Sequence, residues 1–226
     1  DAPHCGGGHK VLRFCHQHRP CGLGQPVVPR AAIHFHFGGI VCGGNVNSNR
    51  VVSRTGYTGE DGVELYCAAE DTVRLFEALL EAGKGVDMLP CGLGARDTLR
   101  FEASMPLYGH EMDANVTPME TGISFAVKLN KEDFIGKEAL LAPAKRIRIG
   151  LKLIDRGIAR EHADVYLGEK RVGHVTSGSP APTLGGNYAM ALVDLEDSEA
   201  PVYEIEVRGR RLKAEKTAMP FYKRAK

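Results

Sequence analysis

The sequence predicts an α+β fold, in which a mixed part reaching to about residue 142 is followed by a small all-β domain. In the mixed part, short alternating strands occur near residues 33–66, and two helical patterns follow at residues 72–82 and 92–103. After residue 146, apolar-polar alternation recurs at intervals of about eight to twelve residues, separated by turns such as Gly-Glu-Lys and Arg-Gly-Arg. That spacing is typical of a small barrel or sandwich.

The composition limits the classes of function. The chain has 226 residues, of which 43% are hydrophobic and 25% charged, and its net charge is +1. Nucleic-acid and membrane-surface proteins usually carry a strong basic excess, so we expect neither kind of partner. No apolar run of about 18 residues predicts a membrane span, and the first residues lack a signal-peptide pattern. The six cysteines are unevenly placed, which favours free thiols in a reducing compartment over a disulfide framework.

Residues 1–33 differ from the rest of the chain. They show no sustained period of 2 or 3.6, and no Asp or Glu occurs between Ala2 and Gly59. Cys15 and Cys21 lie six positions apart, and no paired C-x2-C motif forms, so we assign no metal ligands. Two interpretations remain open for residues 1–33: a poorly ordered segment, or residues that are not native coding sequence, for instance the product of a shifted reading frame.

In the mixed part, residues 33–37 (IHFHF) alternate as a half-buried strand does. The segments NRVVSR and VELYC predict a hairpin around a glycine-rich loop. Asp71 is expected to cap a helix over residues 72–82, and Gly83 to end it. The apolar stripe of that helix is expected to contain Val73, Phe76, Leu79 and Leu80.

The second helix, GLGARDTLRFEA, is expected to end at Pro106. A polar loop follows, and then the pattern predicts an alternating strand in ISFAVKL, a short helix from about Phe134 and a linker at residues 143–146. The strands of the all-β domain are predicted in IRIGLKLID, DVYLGEKRVGHVTSG, YAMALVDL and VYEIEVRGRRLKAEKTAMPF.

The hairpin loop SRTGYTGEDGVELY carries the first candidate site. Tyr57 lies at its tip among three glycines, and Glu64 begins the returning strand. A carboxylate offers two parallel acceptors, which suit a planar ligand with two adjacent N–H donors, such as the amino-pyrimidinone edge of a pterin. An aromatic ring nearby could stack on the flat face of that ligand. The alternative is an ordinary hairpin whose acidic side chains are solvated.

Arg96 is the second candidate, because an arginine at the start of a helix could bind a ligand carboxylate through two hydrogen bonds. The alternative is a surface arginine paired with Asp97 or Glu102. Two other motifs are excluded: FGGIVCGGN lacks the spacing and the lysine of a phosphate-binding loop, and no G-x-S-x-G elbow is present.

Five motifs occur in a fixed order: SRTGYTGEDGVELY, GLGARDTLRFEASMPLYGHEMD, VTPMETGISFAVKL, DFIGKEAL and RVGHVTSGSPAPTLGGNYAMALV. Together they resemble the aminomethyltransferase family of the glycine cleavage system, the T-proteins. The resemblance extends from about residue 34 to the C-terminus. It implies the C-terminal portion of a T-protein, with a partial folate-binding α+β domain at residues 34–142 and a C-terminal β-barrel domain at residues 143–226.

The resemblance also implies an activity, which is transfer of the methylene group from the aminomethyl-lipoyl arm of the H-protein to tetrahydrofolate, with release of ammonia. Tetrahydrofolate is then a co-substrate and the lipoylated H-protein a partner. The expected location is the cytoplasm of a bacterium or the mitochondrial matrix of a eukaryote. By motif, Glu64 matches the glutamate that binds the pterin edge, Tyr57 a pocket tyrosine and Arg96 a folate-contacting arginine. Tyr222, in MPFYKR, matches a tyrosine near the ligand.

The sequence departs from the family at one point. The family's main catalytic residue is an aspartate in the N-terminal folate domain, and no acidic residue between Ala2 and Gly59 can take that role. We therefore assign no catalytic residue and expect a truncated chain with impaired transfer. The alternatives are a non-catalytic folate-binding fragment, a folate-dependent paralogue acting in demethylation or iron–sulfur cluster maintenance, and a gene remnant that aggregates.

Overall fold

The structure is a computed structural model that describes residues 51–224 and the backbone of residues 9–15. The strand predicted at residues 33–37 and most of the segment 1–33 lie outside the described residues, so those predictions remain open. The chain divides into two compact units, residues 1–96 and residues 97–226. Each unit is described separately below.

The first unit contains a three-stranded antiparallel sheet. Its strands are β1 (His9–Cys15), β2 (Val51–Ser53) and β3 (Gly62–Ala68), and β3 lies between the other two. The predicted hairpin is confirmed, since β2 and β3 pair antiparallel and Ser53 lies opposite Glu64. Strand β1 pairs along the other edge of β3, within a segment whose sequence predicts no element.

Helix α1 (Thr72–Gly83) packs against one face of β3. The predicted apolar stripe is wrong at Val73, which is 66% exposed. Leu75 takes its place, because Leu75, Leu79 and Gly83 repeat every four residues and form the buried face. Among the described residues of this unit, Leu65, Cys67, Leu75 and Leu79 form a buried core, with Val52 and Val63 at its edge.

Both ends of α1 depend on particular residues. Asp71 occupies the N-cap position, as predicted, but its carboxylate accepts a 2.7 Å hydrogen bond from Arg74 and makes no capping bond. Gly83 is the last residue, also as predicted. A Cβ atom at Gly83 would lie 2.5 Å from the Cβ of Met88, so only glycine allows the chain to fold back so closely there.

Helix α2 covers Leu93–Glu102 and confirms the second predicted helix. The expectation that Pro106 ends it is wrong, because the helix stops four residues earlier. Ser104 has a left-handed φ of 54°. Its N–H donates to the carbonyl of Phe101 at 2.8 Å, and the N–H of Met105 donates to the carbonyl of Arg100 at 2.8 Å. This pair of bonds is a Schellman motif, which closes the helix before the proline is reached.

The segment between α2 and the barrel is mostly irregular. The strand predicted in ISFAVKL is wrong, because Ser124–Ala126 form a 3-10 helix. The N–H groups of Ala126 and Val127 bond back to the carbonyls of Ile123 and Ser124, so the local turn uses the groups that a ladder would need. The short helix is confirmed as α3 (Lys137–Leu141), and it begins after Gly136, whose φ is 88°.

The second unit contains a closed barrel of six antiparallel strands in the order β4-β7-β6-β5-β8-β9. The predicted α+β class with a C-terminal all-β barrel is therefore confirmed. The strands are β4 (Arg146–Leu153), β5 (Asp164–Leu167), β6 (Lys170–Pro180), β7 (Asn187–Asp194), β8 (Val202–Val207) and β9 (Arg210–Thr217).

The barrel interior is filled by side chains that alternate along the strands, including Leu151, Val165, Val175, Ala191 and Ile205, all of them fully buried. Strands β8 and β9 are joined at Arg208 and Gly209, with φ values of 54° and 74°, as in a two-residue hairpin turn. No helix within the described residues has the length and apolarity needed to cross a bilayer.

Candidate functional site

The loop between β2 and β3 is held by its own contacts. Thr58 is 4% exposed, and its Oγ1 accepts a 3.2 Å hydrogen bond from the N–H of Glu60. Gly59 between them has a φ of 74°, a backbone conformation that favours glycine. Arg54 and Asp61 form an exposed ion pair of 3.6 Å across the base of the loop. The loop therefore presents Tyr57 from an ordered turn. Thr58 helps to order that turn, a role that the sequence did not predict.

Tyr57 and Arg96 lie together in the structure. The guanidinium carbon of Arg96 is 4.8 Å from the centroid of the Tyr57 ring, and both side chains are half-buried. This distance is within the range of a cation–π interaction. The alternative pairing of Arg96 with Asp97 is not observed, because Asp97 binds the Nε of Arg100 at 2.8 Å instead. Two of the predicted site residues are thus neighbours despite lying 39 positions apart in the sequence.

Glu64 is only 7% exposed, so its alternative interpretation as a solvated hairpin residue is wrong. It lies on the face of β3 opposite to Leu65 and Cys67, which pack towards α1. The hydroxyl of Tyr66 donates a 2.9 Å hydrogen bond to Oε2 of Glu64. The carboxylate is therefore withdrawn from water and held by a neighbour on its own strand.

Tyr66 is a residue that the sequence analysis missed. A signal was available, because residues two apart on a strand point to the same face. The segment VELYC places Tyr66 two positions after Glu64, and the predicted strand already included both. The pattern could have shown that Glu64 has an aromatic hydroxyl beside it.

Tyr222 lies in the second unit, close to the end of α2. Its N–H donates a 2.7 Å hydrogen bond to the carbonyl of Glu102. Phe221, just before it, donates its N–H to Oγ of Ser104 at 3.1 Å. The Phe221 ring also packs at 5.5 Å from Phe101 and 5.0 Å from Tyr188, measured between ring centroids. The backbone around Tyr222 is thereby fixed within this unit.

A buried charge cluster in the second unit is also absent from the sequence analysis. Arg100 is 1% exposed, and its two terminal nitrogens each donate a 3.0 Å bond, one to Oε2 of Glu111 and one to Oγ of Ser177. Glu111, equally buried, also accepts the N–H of Leu107 at 2.9 Å. The cluster joins α2 to strand β6, and its groups bind one another, which gives it a structural role.

Within residues 51–224, no group of three or more His, Cys, Asp or Glu side chains could hold a metal ion. Cys67 is a buried free thiol and Cys91 an exposed one, while the other four cysteines lie outside the residues with described side chains. One surface depression is lined by Lys145 with residues 194–196, and another by residues around Phe134. Neither contains a predicted site residue.

Two family models match the chain. The GCVT N-terminal domain matches residues 30–131, and the glycine cleavage T-protein C-terminal barrel domain matches residues 146–223. The chain belongs to the glycine cleavage T-protein family. The resemblance carried by the five motifs is thereby confirmed. The residues that match the barrel domain, 146–223, include all six strands of the closed barrel described above.

Comparison with individual proteins also supports membership of this family. An aminomethyltransferase of Geobacillus sp. (strain WCH70) is 52% identical over 189 residues, which cover 80% of this chain and 52% of that protein. An aminomethyltransferase of Anoxybacillus flavithermus (strain DSM 21510 / WK1) is 54% identical over 182 residues, covering 78% and 50%. The crystal structure of glycine cleavage system aminomethyltransferase T from Bartonella henselae matches with a TM-score of 0.71 at 31% identity, covering 77% of this chain and 50% of that one. The chain thus spans about half the length of the curated relatives it matches.

Proposed function

We propose that this chain functions as part of a tetrahydrofolate-dependent aminomethyltransferase of glycine cleavage. The methylene carbon loses its bonds to the lipoyl sulfur and to the amino nitrogen and forms two new bonds to nitrogens of tetrahydrofolate. The two protons that these folate nitrogens give up complete the released ammonia and the thiol of the reduced dihydrolipoyl arm. The observation that carries the proposal is the nearly buried carboxylate of Glu64, held by Tyr66 on the strand that follows the Tyr57 loop.

The chemistry of Glu64 suits the pterin edge. The amino-pyrimidinone edge of tetrahydrofolate offers adjacent N–H donors that match two carboxylate acceptors. Arg96 supplies a positive charge in the same unit, which suits a carboxylate of the folate tail. Tyr222 is proposed as a further ligand contact on its motif match alone.

The role proposed for these residues is positioning. Holding the folate nitrogen against the aminomethyl carbon can lower the barrier by roughly 7 to 11 kcal/mol at best. None of the four assigned residues is proposed to transfer a proton, so the chain's share of the reaction is binding and orientation. The lipoylated H-protein is the proposed partner. The proposed location is the cytoplasm, or the mitochondrial matrix in a eukaryote.

A second candidate is folate binding without transfer. What favours it is that the four assigned residues all have proposed roles in binding, while no described residue is assigned to protonate the leaving ammonia. A folate-dependent paralogue of the demethylase or iron–sulfur maintenance type would share the same binding residues. Formation of methylenetetrahydrofolate from aminomethylated H-protein distinguishes the candidates, because only the transferase produces it from that donor.

The binding assignment is tested by titrating tetrahydrofolate into the chain and into Glu64→Ala. Loss of the two-acceptor contact is expected to weaken binding by about 1 to 3 kcal/mol. Glu70→Ala is the matched control, because Glu70 is an exposed acidic residue just after the same strand and should leave binding unchanged. Equal affinity of the unaltered chain and Glu64→Ala would overturn the proposal.

A further inference from the structure

The guanidinium of Arg96 covers one face of the Tyr57 ring, with 4.8 Å between its carbon and the ring centroid. We infer that Tyr57 acts on the ligand through Arg96: its ring holds the guanidinium ready for a ligand carboxylate, and it is not the surface on which a ligand ring stacks. This inference rests on the proposed folate function and names the part of the ligand that the pair recognises. Tyr57 is thus a positioning residue.

The inference follows from the geometry of the pair. The face of an aromatic ring is electronegative, so a cation above it is attracted and restrained. Arginine has a long flexible side chain, and ordering such a side chain on binding costs free energy. A guanidinium already held against Tyr57 avoids part of that cost. A ligand ring stacked on the same face of Tyr57 would have to displace the guanidinium first.

Contacts on both sides hold the backbone of Tyr57 and the backbone of Arg96 in place. On one side, Tyr57 precedes buried Thr58 in a loop whose base is spanned by Arg54 and Asp61. On the other side, Arg96 lies in the first turn of α2, where its N–H donates a 3.2 Å bond to the carbonyl of Gly92. Neither backbone needs to move for the ring and the guanidinium to meet.

The class of ligand group follows from arginine chemistry. A planar guanidinium presents parallel N–H donors that match the two oxygens of a carboxylate. The pair is therefore assigned to the glutamate tail of the folate, while Glu64 is assigned to the pterin. The two ends of the ligand can then be tested separately, since tetrahydropterin contains the pterin and lacks the tail.

The test is a double-mutant cycle on tetrahydrofolate affinity, measured by titration calorimetry with Tyr57→Leu, Arg96→Ala and the double variant. Tyr57→Leu is expected to weaken binding roughly 3- to 30-fold, the range that a cation–π contact supports. In the Arg96→Ala background, the same change should cause no further loss. Tyr57→Phe keeps the ring face and should bind almost as tightly as the unaltered chain. Far-UV circular dichroism checks that each variant is folded.

The second arm uses tetrahydropterin as the probe. Tyr57→Leu and Arg96→Ala should leave its affinity unchanged, whereas Glu64→Ala should weaken it. An additive loss in the double variant, or weaker tetrahydropterin binding by Tyr57→Leu, would overturn this inference and leave the proposed function intact. Failure of the unaltered chain to bind either probe would overturn both. If Tyr57→Leu does not fold, Tyr57→Gln, which also lacks the ring, replaces it in the cycle and in the tetrahydropterin titration.

Discussion

Tyr66 donates a 2.9 Å hydrogen bond to Oε2 of Glu64, two residues before it on strand β3. Both side chains point away from the α1 side of the sheet, so the bond forms without any change of strand geometry. It occupies one position on one oxygen of a carboxylate that has about four acceptor positions. The bond therefore restrains the orientation of the Glu64 carboxylate.

Tyr66→Phe removes that hydroxyl and keeps the ring. We expect tetrahydrofolate binding to weaken by about 1 kcal/mol, because the carboxylate loses one restraining hydrogen bond. Titration calorimetry measures the change. In a Glu64→Ala background, the same substitution should have no effect, since the hydroxyl then has no carboxylate to hold. An equal loss in both backgrounds would show that Tyr66 acts independently of Glu64.

Glu111→Gln breaks the buried ion pair with Arg100, in which the side chains are 0% and 1% exposed. We expect the free energy of unfolding to fall by about 3 kcal/mol, because the substitution leaves a buried cation without its main counter-charge. Arg100 keeps its contacts with Asp97 and Ser177, which places the loss at the lower end of the usual range. Urea denaturation followed by circular dichroism measures it.

The matched control for that substitution is Glu215→Gln. Glu215 pairs with Lys152 at 3.6 Å, and both side chains are about half exposed, at 48% and 45%. Surface pairs of this kind contribute about 0 to 1 kcal/mol. If Glu111→Gln cost no more than Glu215→Gln, the buried cluster would not be holding α2 to the barrel.

The pH dependence of stability should reflect Glu120. Burial raises the pKa of this carboxyl, but hydrogen bonds from Arg146 and Thr117 outweigh burial and hold the pKa below its usual value. A carboxyl with a lowered folded pKa stabilises the protein above its unfolded pKa, and the contribution disappears as pH falls through the folded value. We therefore expect Glu120→Gln to be less stable than the unaltered chain at neutral pH.

The difference between the two proteins should shrink as the solution is acidified from about pH 6 to about pH 3, the range in which glutamate carboxyls titrate. Thermal unfolding at a series of pH values measures it. A stability difference that stayed constant over this range would mean that the contacts of Glu120 with Arg146 and Thr117 do not depend on its charge.

Gly178→Ala should destabilise the barrel. A Cβ atom at this position of β6 would lie 1.6 Å from the carbonyl oxygen of Ala159, so the backbone would have to move. Overpacking of this kind typically costs about 1 to 3 kcal/mol. Gly85→Ala is the control, because a Cβ there meets nothing within 4 Å. Thermal melts of the two variants should differ clearly, and a melt of Gly178→Ala like that of Gly85→Ala would contradict the packing argument.

The sequence predicted the barrel well because its physical signals are local. Apolar-polar alternation and turn residues such as Gly168 and Gly209, with φ values of 59° and 74°, mark strands and hairpins directly. The predictions failed where a short-range backbone turn decided the outcome against the more prominent sequence signal. The ISFAVKL segment alternates like a strand but bonds within itself, and α2 ends at left-handed Ser104 although proline is the stronger sequence signal for an ending.

For the candidate site, residue chemistry made Tyr57, Arg96 and Glu64 candidates and the family resemblance selected them, but neither predicted how they contact one another. That Arg96 lies over Tyr57 depends on where the start of α2 lies relative to the hairpin loop, and no periodicity encodes this. The buried state of Glu64 was equally hidden, because a glutamate on a short strand beside a polar loop usually faces water. The buried contact of Arg100 could not be predicted either, since the residues around it in the sequence give no sign that Ser177 lies beside it.

The bonds from Phe221 to Ser104 and from Tyr222 to Glu102 link the last described segment of the chain to the end of α2. Amide protons of a segment that opens locally exchange with deuterium almost as fast as those of an unfolded peptide. Here the two amides are tied to a helix terminus that is itself joined to the barrel through Arg100 and Ser177. Their exchange should therefore be slow and should accelerate together with that of β6, which makes them reporters of the cooperative opening of the whole barrel.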